Sequence, residues 1–238
     1  MTLTFRPTIK EIPKPLRLRI TLWGAVVYAA ATAIGTLYVL GQLLLSTTIN
    51  VQLPVETFWP ELTKSVKLDP VPVAKVVSGG FTQANVMMSG VGVDAKLWLA
   101  AGHLLEGATY LAISVAIAIL CSRLLKGDPF GPILTRTITR AGVAILIGGL
   151  GWQVCYAVGG WEASIEALKL TGYEMQDKYM DKLHPDNVGW PHPGGNVEID
   201  FWPIWIALAL FAIAAIFRYG EKLQRDNAAL KRDTTGLV

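Results

Sequence analysis

The sequence predicts an all-α membrane protein with four transmembrane helices, and two observations support that prediction. First, 52% of its 238 residues are apolar and 16% are charged, whereas a soluble domain is about 25% charged. Second, the apolar residues are clustered in runs that can cross a bilayer core of about 30 Å. The mean hydropathy is accordingly positive, at +0.42. This composition excludes a disordered chain and disfavours an ordinary soluble domain.

Four apolar runs define the predicted transmembrane spans. The first contains no acidic, basic or histidine residue, and the second is interrupted by His103 and Glu106. The fourth is the shortest, but it begins at Phe201-Trp202-Pro203, and proline suits the first turn of a helix because its missing N–H has no partner there. The spans are 21–45, 97–122, 141–160 and 201–217.

The distribution of lysine and arginine predicts how these spans are oriented. Fourteen of the 21 basic residues lie in the basic tail 1–20, the connection 123–140 and the tail 218–238. Because basic loops stay on the cytoplasmic side, we expect both termini in the cytoplasm and the loops 46–96 and 161–200 outside. The first apolar run is too long for a cleaved signal peptide, so an uncleaved signal anchor is favoured.

The two outer loops differ in the spacing of their apolar residues. The first contains short alternating or β-branched stretches at 49–53, 71–77 and 85–93, which fit either short β elements or an irregular loop on the membrane. In the second, apolar residues recur at roughly helical spacing from Ile165 to Leu183. That spacing predicts an amphipathic helix.

The connection between the second and third spans predicts a helix start and a basic surface. Asp128 and Pro129 suit the N-cap and the first helical position. Basic side chains at this surface can snorkel to the interface or bind lipid phosphates. The candidates are Arg123, Lys126, Arg136 and Arg140.

The strongest candidate functional site is His103 with Glu106, inside the second span. Residues at i and i+3 share a helix face, and Tyr110 extends that face by one turn. An acid at this depth is costly in lipid, so it must face the bundle, bind a donor or stay protonated. The pair could relay protons or bind a cation, or it could hold a polar ligand such as a quinone head group. It could instead form a structural hydrogen bond to a neighbouring helix or to a partner subunit. We expect no second ionisable group from spans one, three or four.

Other chemistry is not indicated by the sequence. Cys121 and Cys155 fall at different predicted depths and are expected to be packing residues. His184 and His192 lie in a turn-rich loop without further ligands, so no metal site is expected. The small net charge of +3 disfavours nucleic-acid binding. Since the sequence lacks catalytic and cofactor motifs, we expect a protein that is not an enzyme and has no cofactor.

Two segments resemble a bacterial membrane family catalogued as domain of unknown function 2975. They are Lys126-Gly127-Asp128-Pro129-Phe130 and the stretch from Phe217 to Asp226. The resemblance extends from Leu97 to the C-terminal residues Gly236-Leu237-Val238, which are similar to the C-terminal pattern of the family. The stretch 227–231 departs from the family pattern. It implies four spans, a third helix opened by the Gly-Asp-Pro-Phe turn, a polar helix after the fourth span and a bacterial plasma membrane. It implies no activity.

Three functional hypotheses follow. The first is an accessory subunit that packs against a larger membrane complex, respiratory or transport, with the bilayer and other membrane subunits as its partners. The second is a small-molecule, quinone or proton-handling protein centred on His103 and Glu106. The third and weakest is an envelope sensor whose outer loops bind a ligand.

Overall fold

The computed structural model describes residues 16–59, 74, 76–126, 132–170, 190–195 and 198–235. The elements formed by these residues are, in chain order, α1 (Leu16–Leu45), β1 (Thr48–Phe58), β2 (Phe81–Ser89), α2 (Val93–Leu125), α3 (Pro132–Leu168) and α4 (Trp202–Thr235). The protein is therefore mostly helical, with a β-hairpin between α1 and α2.

All four helices are long and apolar enough to span a membrane. In α1 only Ala25 and Leu43 are buried, and in the most apolar stretch of α3 only 39% of the residues are. Large apolar side chains such as Trp23, Leu37 and Ile216 remain exposed. A helix that is apolar on all sides but uncovered by protein is stable where lipid covers it. The predicted multi-pass membrane protein is confirmed at this level.

Each helix extends beyond the apolar run that predicts it. On the outer side, α3 ends at Leu168 rather than at residue 160. Its added turns contain Ala163 and Ser164, which are fully buried, so packing continues the helix past the hydropathy boundary. Of the amphipathic helix expected from Ile165 to Leu183, the residues up to Leu168 belong to the end of α3, and those from 171 onwards lie outside the described residues, as does the helix start at Asp128-Pro129.

The chain divides into two compact units. The first, here called the basic unit, comprises Met1–Gly35, Gly107–Ile147 and Trp202–Val238. The second, here called the sheet unit, comprises Thr36–Glu106 and Gly148–Phe201. Each has its own cluster of buried apolar residues.

The core of the sheet unit lies under β1. Side chains along β1 alternate between exposed and buried, because successive residues of a strand point to opposite faces. The stretch 49–53 lies in β1, and 85–93 overlaps β2. The buried face of β1 packs with residues from the start of α2 and the end of α3. The cluster includes Ile49, Val51, Leu53, Ala95, Leu99 and Ala163.

Both sides of β1 find hydrogen-bond partners. On one side it pairs antiparallel with β2, from Thr48 opposite Ser89 to Pro54 opposite Gln83. On the other side the Glu56 N–H donates to the His192 carbonyl (2.9 Å), and the Gly194 N–H donates to the Pro54 carbonyl (3.1 Å). The buried Ser164 hydroxyl also donates to the Pro54 carbonyl, at 2.6 Å. These bonds join β1 to α3 and to the segment before α4.

The basic unit is held by contacts between α3 and α4. Leu134, Ile138 and Ala214 form its buried cluster. At Gly142 a Cβ atom would lie 2.7 Å from the ring of Phe211, so glycine permits the close approach of the two helices. Close backbone approach at small residues is the usual way in which membrane helices pack.

Candidate functional site

The helix α2 positions His103 and Glu106 on one of its faces. The His103 Nδ1 atom lies 3.8 Å from Glu106 Oε2, and the two side chains are 34% and 32% exposed. Two polar side chains are thus partly exposed within a stretch that is otherwise apolar. Because lipid cannot hydrogen-bond to them, such groups need protein or ligand partners.

Tyr156 of α3 supplies that partner within the sheet unit. Its hydroxyl donates to Glu106 Oε2 at 2.5 Å and lies 2.7 Å from His103 Nδ1. The rings of His103 and Tyr156 meet edge to face, with centroids 5.0 Å apart. His103, Tyr156 and Glu106 therefore form one hydrogen-bonded chain, here called the trio.

Gly102 makes room for this arrangement. A Cβ atom at Gly102 would lie 2.5 Å from both Cδ1 and Cε1 of Tyr156. Any larger residue at this position would push the tyrosine ring away from α2, and with it the hydroxyl from the trio. The residue directly before His103 is therefore part of the site.

The trio can hold a proton in two arrangements. A tyrosine hydroxyl has one proton to donate, and here it donates to Glu106, so the Nδ1–H of His103 donates to the tyrosine oxygen. If His103 begins as an imidazolium and each group passes its proton one step along, the Nδ1 proton of histidine reaches tyrosine and the tyrosine proton reaches Glu106. The histidine is then left neutral, with its proton on Nε2. The reversed chain then has a protonated Glu106 donating to Tyr156 and Tyr156 donating to His103. One proton has moved between histidine and glutamate without leaving the trio.

The expectation that the third span provides no ionisable partner was wrong, because it overlooked Tyr156. Tyr110, the expected third member of the site, lies one turn beyond Glu106 on α2, where its backbone carbonyl accepts the hydroxyl of Ser114. The hydroxyl that joins His103 to Glu106 belongs to Tyr156, 53 positions beyond His103. A tyrosine inside an apolar span is itself a signal, since its hydroxyl needs a partner there.

The remaining candidates from the sequence are the two loop histidines and the two cysteines. The described residues contain no group of three or more histidine, cysteine or acidic residues that could hold a metal ion. His192 is exposed and contributes its carbonyl to the pairing with β1, while His184 lies outside the described residues. Cys121 and Cys155 are buried free thiols.

The predicted basic residues separate into two pairs. Arg136 and Arg140 line a groove in the basic unit together with Arg218 of α4. Arg123 lies in the last turn of α2 and Lys126 follows it, and neither lines that groove.

Comparisons with protein-family models, curated proteins and solved structures find no match to this chain. The resemblance to the family of unknown function therefore stays a prediction.

Proposed function

We propose that this protein handles a proton at the His103–Tyr156–Glu106 trio while it binds the polar head of a lipid-soluble molecule. The supporting observation is the single Tyr156 hydroxyl that bridges Glu106 (2.5 Å) and His103 (2.7 Å). General acid–base groups act at such distances from the proton that they transfer.

The exposure of the trio favours a ligand that approaches through the membrane. About a third of each of the His103 and Glu106 side chains is uncovered, next to the exposed apolar side chain of Leu104. A suitable ligand has an apolar body, which dissolves in lipid, and an acceptor oxygen for the histidine or carboxyl proton. Quinones combine an apolar ring with carbonyl oxygens that accept hydrogen bonds, and they are the class we propose.

Removal of the Tyr156 hydroxyl tests the proposal. A short-chain quinone is expected to bind the detergent-solubilised wild type saturably, measured by quenching of tryptophan fluorescence. The Tyr156→Phe variant should bind about 10- to 100-fold more weakly, because a hydrogen bond to a charged group contributes about 1.5–3 kcal/mol. Glu106→Gln keeps the side-chain volume but cannot ionise. The proton that the Glu106 carboxylate takes up when the quinone covers it, followed with a pH-sensitive dye, should therefore be absent in this variant.

Tyr38→Phe is the matched control for that experiment. The Tyr38 hydroxyl accepts a hydrogen bond from Gln42 at 2.7 Å on an exposed part of α1. The control variant therefore also loses a hydrogen-bonded tyrosine hydroxyl, but one that lies outside the trio. Equal affinities of the Tyr156→Phe and Tyr38→Phe variants for the quinone would contradict the proposal. A hydrocarbon with the same tail and no carbonyl should not bind.

An accessory role in a larger membrane complex is the second candidate, and the uncovered face of α1 favours it. Gly24, Tyr28, Ala31 and Gly35 follow one another at spacings of three or four residues, so they share a helix face, and all four are exposed. A Cβ atom at Gly24 or Gly35 would meet nothing within 4 Å. Small residues that stay exposed within the described part of the chain suit close contact with a transmembrane helix of another membrane protein.

A matched pair of alanine substitutions tests the accessory role. Ala31 lies on the face just described, whereas the neighbouring Ala30 is exposed on another side of α1. A mild-detergent pull-down with the tagged wild type should recover a membrane partner that is identified by mass. Ala31→Leu should lose that partner, and Ala30→Leu should keep it. Equal recovery by both variants, or recovery of nothing but this chain itself, would count against a heterologous complex.

We also propose a bacterial plasma-membrane location with both termini in the cytoplasm. The bias of basic residues towards the two tails and the connection 123–140 supports this orientation. The bacterial origin rests on the resemblance to the family of unknown function.

A further inference from the structure

The groove between α3 and α4 in the basic unit is separate from the trio. It has a volume of about 720 Å³ and is lined by basic residues of both helices and by apolar residues of α4. An overlapping cavity of about 400 Å³ shares Arg136, Arg218 and Lys222 and adds Arg225. The basic residues of the groove are Arg136, Arg140, Arg218 and Lys222.

The next feature of the groove is the charge of these four cations. Arg136 and Arg140 are four residues apart on α3, and so are Arg218 and Lys222 on α4, a spacing at which like charges repel. Among the described residues no carboxylate pairs with any of the four. Glu221, the acid of the adjoining cavity, is buried, accepts a hydrogen bond from Thr135 and lies 4.0 Å from Arg225. The groove is therefore complementary to an anion.

The lining changes from apolar to basic along α4. Phe211, Ala214 and Ala215 lie at one end, and Arg218 and Lys222 follow towards the other. Phe211 and Lys222 are eleven residues apart, which is about 16 Å along a helix. The apolar end begins where Phe211 packs against Gly142. This order matches a phospholipid, in which acyl chains pass into a charged headgroup over a similar length.

We propose that the groove binds an anionic membrane phospholipid. Its phosphate lies among the side chains of Arg136, Arg218 and Lys222, and an acyl chain lies against Phe211 and Ala215. Arginine suits this role because its guanidinium group can donate two parallel hydrogen bonds to a phosphate. A free phosphate would leave the apolar end uncovered, so the lipid is the better match.

Thermal stability of the purified full chain in a non-ionic detergent tests this proposal. Phosphatidylglycerol is expected to raise the Tm of the wild type saturably, while phosphatidylcholine with the same acyl chains and inorganic phosphate should not. The double variant Arg136→Gln/Arg218→Gln should bind phosphatidylglycerol about 30-fold more weakly, because each basic side chain near an anionic lipid surface contributes about fivefold. Native mass spectrometry gives the number of lipids retained.

Two further variants separate binding from folding. Arg17→Gln/Arg19→Gln removes the same charge from exposed positions on α1 outside the groove and should bind the lipid as the wild type does. Ala215→Trp fills the apolar end without changing charge and should also weaken binding. The proposal is overturned if phosphatidylcholine or inorganic phosphate stabilises the wild type as well as phosphatidylglycerol does. It is also overturned if the double arginine variant in the groove and the one on α1 lose affinity equally.

Discussion

Replacing Leu53 by alanine is expected to lower the free energy of unfolding of the sheet unit by about 2–5 kcal/mol, the usual range for a buried leucine. Leu53 is 2% exposed and belongs to the cluster under β1. Its cross-strand partner is Ala84, which has too little side chain to fill the cavity that the substitution leaves. The cost should therefore fall in the upper part of the range.

Urea titration in detergent micelles measures this loss. Trp59 stacks on Phe81 with ring centroids 5.5 Å apart, so tryptophan fluorescence reports on the hairpin. Leu45→Ala is the matched control, because Leu45 is 86% exposed and a substitution at such a site changes stability by about 0.5 kcal/mol or less. If Leu53→Ala cost no more than Leu45→Ala, the packing of β1 on α2 and α3 would be wrong.

Labelling of single introduced cysteines should give an all-or-none difference between the two sides of the membrane. Val77 is 96% exposed in the segment between α1 and α2, and Leu230 is 63% exposed near the end of α4. With both termini cytoplasmic, a membrane-impermeant maleimide should label Val77→Cys in intact cells. It should label Leu230→Cys only after the cells are permeabilised.

The native thiols provide the background control for the labelling. Cys121 and Cys155 are 4% and 7% exposed, so the wild type should stay unlabelled under both conditions. Labelling of Leu230→Cys in intact cells would reverse the proposed orientation. Labelling of neither variant in intact cells would mean that the segment around Val77 is not external.

The helices were predictable from sequence because lipid imposes a length and a polarity on every span. Their ends were not, since tertiary contacts decide them. The turns of α3 around Ala163 and Ser164 are helical because they pack beneath β1, and Ser164 bonds to Pro54, 110 positions earlier. A local hydropathy window contains no information about such a partner.

Only the part of each candidate site that lies on a single helix could be predicted from the sequence, because tertiary contacts bring in the rest. His103 and Glu106 lie within one helix, where spacing alone identifies a shared face. Tyr156 and the pair Arg218 and Lys222 join their sites from another helix, and that pairing depends on glycines at the helix contacts. At Gly102 the missing side chain admits Tyr156, and at Gly142 it admits Phe211. The sequence does not say which helix packs at these glycines.

The Glu56 N–H donates to the His192 carbonyl and the Gly194 N–H donates to the Pro54 carbonyl, so the segment 192–194 covers one edge of the hairpin. An open strand edge is a template for addition of a further chain, and this segment occupies that edge of β1. Within the described residues β2 pairs with β1 alone. An extended peptide that enlarges this sheet would therefore join it beside β2, and proline substitutions along β2 would block that growth while identical ones in an unrelated loop would not.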